Sequence, residues 1–356
     1  MNTEILVRDI IALSSAMSVS GFEYRAEDTV RELFGRDFDD TVSDRVGSIV
    51  LIKRCGREDA PRILIDAHLD EVGMLVSEVC EGGFLRIVGV GGIDPAIMQA
   101  CDVTVYGSQT LRGVVISMPP HLRAVKDGSL APVEELMVDV GVGYTKEELE
   151  NIAPIGTPVG FSPVYSRFGK GYMAGKSFDD KACAAIAARA IADMPRESMA
   201  GDVYLCLSAR EETARDGGVG PVCFGLEPHY AMVIDVNLGN APDAPERETV
   251  ELGKGISLTC SAATDRDLTL ATAALCRAGE IPFVFCASPS STGTNATTVN
   301  LVGRGIPVVD VGLPLRNMHT YNEVICTEDC ESLYRAVDAF LRSREIAERF
   351  GGEDEI

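Results

Sequence analysis

Apolar and polar positions along this chain change rhythm from one segment to the next. From residue 4 to 18 the hydrophobic positions recur every three or four residues, which predicts an amphipathic helix. Ser20-Gly21-Phe22-Glu23 then offers a capping box for a second helix running to Phe34. Continuous apolar runs at Ile49–Ile52 and Ile63–Ala67 predict buried strands. Similar runs follow at Val203–Leu207, Ala231–Val236, Ile256–Cys260, Phe283–Cys286 and Val308–Val311, and helical segments at 179–194, 266–279 and 327–349 separate several of them. This alternation predicts an α/β fold, with a mainly parallel sheet covered on both faces. Residues 72–165 read differently. They are rich in Gly, Val and Pro, carry short alternating stretches at 111–118 (LRGVVISM) and 158–165 (PVGFSPVY), and hold one helical segment at 146–153 (KEELENIA). The expected organisation is a discontinuous domain of residues 1–71 and 166–356, interrupted by a β-rich insert of residues 72–165.

Composition narrows the class. With 356 residues and 46% hydrophobic content, the chain can bury a large core. No run of 18 apolar residues occurs, and charged residues enter the N-terminal segment early, so neither a membrane span nor a signal peptide is expected and a cytoplasmic location is. Eleven cysteines are scattered without a CxxC pair, which points to reduced core thiols. The formal net charge of -22, with no basic run, excludes nucleic acid and anionic membrane as expected partners.

Against this background, five spots place metal-ligand residue types where a strand ends or a helix begins. They are His68 and Asp70 after ILIDA, Asp179-Asp180 opening a helix, Glu211-Glu212 after VYLCLSAR, Asp235 after AMVI, and His319 beyond PVVDVGLP. In an open α/β sheet the carboxyl ends of the strands face one crevice, so residues distant in sequence converge there. Each pair alone has an ordinary reading, such as a helix N-cap for Asp179-Asp180 or solvated charge for Glu211-Glu212. Their shared placement carries the metal reading. A mixed His/carboxylate set suits divalent cations, and one carboxylate can bridge two ions about 3.5–4 Å apart. His68 is read as a ligand and Asp70 as the group that orients its ring. Adjacent Glu211 and Glu212 point apart in extended chain, so one would hold metal and the other a water. His121 is read as a structural or interface residue and His229 as a partly buried structural one.

The stretches MSVSGFEYRAEDTV (17–30), DAHLDEVGMLV (66–76), VGGIDPAIMQ (90–99), GVVISMPPHL (113–122), GKSFDDKA (175–182), SAREE (208–212), VIDVN (233–237), LGKG (252–255) and LRNMHTYNE (315–323) resemble those of the tetrahedral aminopeptidases. These are glutamyl-aminopeptidase-like dinuclear metallopeptidases, some members of which carry cellulase or endoglucanase names. The resemblance spans nearly the whole chain. It implies a zinc-exopeptidase-like α/β/α sandwich with an inserted β-rich dimerisation domain, and dimers assembled into a dodecamer. Carried over by residue, it implies His68, Asp179 and Asp235 on one ion and Asp179, Glu212 and His319 on the other. Two divalent ions per subunit follow, zinc first, with cobalt and manganese also suited. Glu211 would be the general base, Asp70 the second catalytic residue through its hold on the His68 ring, and short peptides the substrates.

Three positions depart from the family pattern: Lys181 where arginine is common, EETARDGG (211–218), which lacks the usual Val-Gly, and Asn295 in STGTNA (291–296) where aspartate is usual. None removes a ligand, but the last loop is expected near the substrate pocket and bears on preference. Arg316 is read either as a partner for an acidic substrate side chain or as an outward structural residue. The leading expectation is a metallo-aminopeptidase of broad or acid-tolerant preference. A dinuclear deacylase or carboxypeptidase, and a catalytically silent shell protein, are the alternatives. A polysaccharide hydrolase fits poorly with 6% aromatic residues and no Trp.

Overall fold

A computed structural model describes residues 2–117, 132–213, 217–242, 244–245 and 249–352. His121 and part of the 211–218 departure lie outside the described residues. The chain opens with α1 (Thr3–Ser15), whose N-cap Asn2 accepts the Glu4 and Ile5 N–H groups. This helix ends at Ser15 rather than residue 18, because Ser18 turns to bond Leu69 O through its hydroxyl (2.6 Å) and Glu71 Oε1 through its N–H (3.1 Å). The expected capping box before α2 (Glu27–Phe34) does not form. Ser20 Oγ pairs with Thr213 Oγ1 at 2.6 Å, and Glu23 Oε1 accepts the N–H groups of Gly21 and Arg210, so long-range partners win over the local cap.

Strands β1 (Asp40–Ser43), β2 (Ile49–Lys53) and β3 (Arg62–His68) follow. The chain then closes a barrel from β4 (Gly73–Cys80), β5 (Phe84–Val90), β6 (Asp102–Tyr106), β7 (Thr110–Val115), β8 (Met137–Asp139) and β9 (Pro158–Phe161), in the spatial order β4-β5-β8-β7-β6-β9. Along β7 buried and exposed positions alternate strictly, as the period of two requires. Inside, Met74, Leu85, Ile87, Val103, Val105 and Val138 form a core separate from that of the large sheet. Closure also leaves no unpaired edge. Between β8 and β9 lies α3 (Lys146–Ile152), with a complete Thr145–Glu148 capping box.

After β10 (Ser166–Phe168) and β11 (Tyr172–Gly175), the chain alternates helix and strand: α4 (Phe178–Ala192), β12 (Asp202–Ser208), α5 (Val219–Leu226), β13 (Tyr230–Leu238), β14 (Ile256–Ser261), α6 (Arg266–Ala278), β15 (Phe283–Ser288), α7 (Ala296–Leu301), β16 (Val308–Leu315), β17 (Glu323–Cys326), α8 (Thr327–Arg342) and α9 (Arg344–Phe350). The single helix expected over 327–349 breaks at Ser343, which ends α8 and caps α9 by accepting the Ile346 N–H. The main sheet has the order β1-β2-β12-β3-β13-β16-β14-β15. Its centre, β12-β3-β13-β16, is parallel, while β2 and β14 join antiparallel. One face packs on α1, α4, α6 and α8 through Leu6, Ala184, Leu268 and Val337. The other is covered by α5 and α7 through Val219, Cys223 and Val299. Alanine-rich α4 is buried nearly all round, so it is the central helix rather than a surface one. The architecture is therefore mixed α/β, and all eleven cysteines are free thiols.

Candidate metal centre

His68 is the last residue of β3 and is buried. Its Nε2 lies 3.0 Å from Asp179 Oδ1 and 3.8 Å from Asp235 Oδ1. On the other side of the ring, Nδ1 faces the Asp70 backbone oxygen at 3.0 Å and the Asp70 carboxylate at 3.5 Å. Asp70 reaches further: Oδ1 accepts the Glu211 N–H at 3.0 Å and Oδ2 the Glu212 N–H at 3.1 Å. One carboxylate thus fixes both the histidine ring and the pair of glutamates. Arg210, just before them, has φ 62°, a left-handed turn that swings the chain off β12.

Asp179 and Asp180 lie at the start of α4 but have non-helical dihedrals, so regular helix begins only after them. Asp235 sits inside β13, which continues to Leu238, rather than at its end. His319 follows β16 with φ 60°, and its Nε2 is 3.4 Å from Asp179 Oδ2 and 3.2 Å from Glu212 Oε2. Glu323, at the start of β17, accepts the N–H groups of both Asp179 and His319 at 3.1 Å. Like Asp70, it holds residues of the centre by their backbone N–H groups. Glu323 lies in the LRNMHTYNE stretch, but accepting backbone N–H groups leaves no signature beyond the residue type. The His319 Nδ1 contacts Gly92 O, in the loop after β5 of the barrel, at 3.2 Å. A Cβ on Gly92 would sit 3.0 Å from that nitrogen. Gly92→Ala is therefore expected to shift the ring and weaken metal affinity about 10- to 100-fold, measured by chelator competition.

These residues form two donor groups, His68-Asp179-Asp235 and Asp179-Glu212-His319, each with its ligand atoms within 4.8 Å of one another and with Asp179 common to both. Their electrostatics match a cation-binding set. Burial raises the Asp235 carboxyl well above the usual range, with buried Asp180 beside it adding to the effect. Glu211 is pushed up to about 7 by burial; His68 opposes this, and the neighbouring Glu212, Asp70 and Asp179 charges reinforce it. Burial opposes ionisation of Asp179 too, but its hydrogen bonds from His319 and His68 win and hold it low. Burial likewise draws His68 down while Asp179 and Asp70 outweigh it, and His319 rises to about 11 through Asp179 and Glu212. Buried anions so held require protons or cations among them. The mixed nitrogen and oxygen donors fit divalent ions.

The remaining residues of interest fall elsewhere. Asn295 is buried, and its amide donates to Asp66 Oδ2 and Ser208 Oγ at 2.9 Å each, so its own side chain braces the sheet while the loop before it lines a cavity. Lys181 is fully buried against Glu71 (3.1 Å) and Ala16 O (2.7 Å). Arg316 donates to Asn240 through its backbone oxygen and side chain, which engages it structurally. His229 accepts the Arg62 N–H at 2.9 Å and is half-buried.

The fold and its relatives together define a peptide-bond hydrolase. Residues 47–335 match the family described as M42 glutamyl aminopeptidase, and the chain belongs to that family. It is 27% identical to a lysyl aminopeptidase of Pyrococcus furiosus, over 91% of this chain and 93% of that one. Among solved structures it superposes on an aminopeptidase from the archaeon Desulfurococcus kamchatkensis with TM-score 0.89 and 25% identity, covering 99% of both chains. It also resembles the Pyrococcus horikoshii TET1 peptidase, which can assemble into a tetrahedron or a large octahedral shell, with TM-score 0.81 and 25% identity over 94% of this chain and 99% of that one.

Proposed function

We propose that this aminopeptidase works through two divalent metal ions, held by His68, Asp179 and Asp235 and by Asp179, Glu212 and His319, with zinc the expected metal. The observation that carries the reading is the pair of donor groups sharing Asp179. When bound, the ions supply Lewis acidity at the scissile carbonyl, lower the pKa of the attacking water and anchor the free α-amino group. Glu211 belongs to neither donor group and stands beside them, raised to about 7. It accepts the proton of the attacking water and returns it to the leaving amine, a task suited to a carboxyl whose pKa lies near neutrality. Asp70 fixes the Glu211 backbone and the His68 ring, so the base and the ligands keep their spacing. Short peptides are the proposed substrates, and the cytoplasm is the proposed location; among the described residues no helix is long and apolar enough to cross a membrane. Self-association of dimers, paired through the β-rich barrel domain, into a dodecamer is part of the same proposal, supported by the shells that the TET1 relative forms.

Metal removal tests the reading. Protein stripped by chelation and reloaded with zinc, cobalt or manganese is expected to hydrolyse aminoacyl-p-nitroanilides but not their N-acetylated counterparts, and the stripped protein neither. Cleavage of the acetylated series would instead establish a deacylase, and metal binding without any cleavage a silent shell.

A further inference from the structure

A cavity of about 210 Å³ opens beside the candidate centre and shares Asp235 with it. It is smaller than the roughly 300–1,000 Å³ of drug-sized ligand sites, so it suits a single side chain. Its lining is polar, with Asn237 and the hydroxyls of Thr259 and Thr294, and Met318 contributes an apolar wall. Asp310, on β16, also lines it. This residue is 3% exposed, and Thr294 Oγ1 donates to its Oδ1 at 2.7 Å. Among the described residues no Lys, Arg or His lines the cavity, so its only charged groups are the carboxylates of Asp235 and Asp310. Burial pushes the Asp310 carboxyl up to about 6, against the Thr259 and Thr294 hydrogen bonds, as expected of an anion held without a countercharge.

We propose that this cavity receives the side chain of the substrate's N-terminal residue and that Asp310 makes the enzyme prefer a cationic one, lysine or arginine. The inference rests on the aminopeptidase reading, since a residue anchored at the centre by its amine has its side chain next to Asp235. A long aliphatic stem would run past Met318 and the threonine methyl groups, with the ammonium or guanidinium at the Asp310 carboxylate. An acidic N-terminal residue would meet the like charge of Asp310 and no Lys, Arg or His. This replaces the broad or acid-tolerant preference expected from the sequence with a cationic one.

The test compares lysyl-, arginyl-, norleucyl- and glutamyl-p-nitroanilide on the metal-loaded protein, with Asp310→Asn beside wild type. Norleucine keeps the lysine stem and lacks the charge. Wild type is expected to favour lysyl over norleucyl in kcat/KM by ~10-fold or more, since a site built for a polar group rejects the analogue that lacks it, and to turn over glutamyl least. In Asp310→Asn, which keeps the shape and the Thr294 contact, the ratio should fall toward one. L-lysine should also raise the melting temperature of wild type more than L-norleucine does, with the difference lost in the variant. Equal use of lysyl and norleucyl substrates by wild type, or a lysyl preference that survives in a folded Asp310→Asn, overturns the assignment. If the variant does not fold, the wild-type series and its melting shifts decide. Failure to cut any free-amine substrate removes the aminopeptidase reading along with this one, whereas cleavage without preference removes this one alone.

Discussion

Glu211→Gln is expected to lower kcat by at least about 100-fold, the smaller end of what a positioned general base contributes, while the protein keeps its full metal content. The substitution leaves the shape of the side chain and removes its basicity. Because Glu211 lies in neither donor group, neither set loses an oxygen. Its backbone N–H stays on Asp70, so the loop that presents Glu212 is not released. Kinetics on a free-amine p-nitroanilide, paired with metal analysis of the same sample, separates the outcomes. Near-normal turnover would move the base to another residue, and loss of metal would make Glu211 a ligand.

The second large effect is on stability. Glu71 is fully buried and meets Lys176, Ser177 and Lys181 through one oxygen, while the other accepts the Ser18 N–H. Two lysines on either side of the Asp179-Asp180 step thereby share one carboxylate, which also ties them to Ser18 in the segment after α1. Glu71→Gln removes the one carboxylate that both buried ammonium groups contact and is expected to cost about 3–5 kcal/mol, a fall in melting temperature of the order of 10 °C. Burial opposes ionisation of Glu71, but the Lys176 and Lys181 charges prevail and lower its pKa to about 2. A carboxyl depressed on folding contributes stability that is complete above the unfolded value near ~4.3 and disappears as pH falls through the folded value. Wild type should therefore lose stability between about pH 4.3 and pH 2 by an amount that Glu71→Gln does not show. Chemical denaturation of both proteins across that range checks it, and parallel curves would reject the role of Glu71.

Much of this was legible in the chain, and the illegible part has a common cause. The central strands announce themselves as continuous apolar runs because a parallel sheet is buried on both faces. His68, Asp179, Glu212, Asp235 and His319 stand out because each interrupts such a run or opens the next element, and the structure gathers them within reach of one another. Glu323 and the second function of Asp70 are invisible by comparison, because both act on backbone N–H groups of residues far away in sequence. Ser20 and Glu23 show the reverse case. Their spacing fits a local cap, yet the glutamate loop supplies Arg210 N–H and Thr213 Oγ1 as partners and the cap is abandoned. Asn295 sits in the loop expected near the pocket, but its amide turns inward to Asp66 while Thr294 lines the cavity. In each case competition between local and tertiary partners decides, and only the local half is written in spacing.

The donor groups draw on residues from His68 to His319, and the second closes only with His319. A chain still on the ribosome carries His68, Asp179 and Asp235 well before His319 emerges, so it can offer at most one complete set. Under the two-metal proposal, the centre cannot be completed before His319 has been made and folded against Asp179 and Glu212.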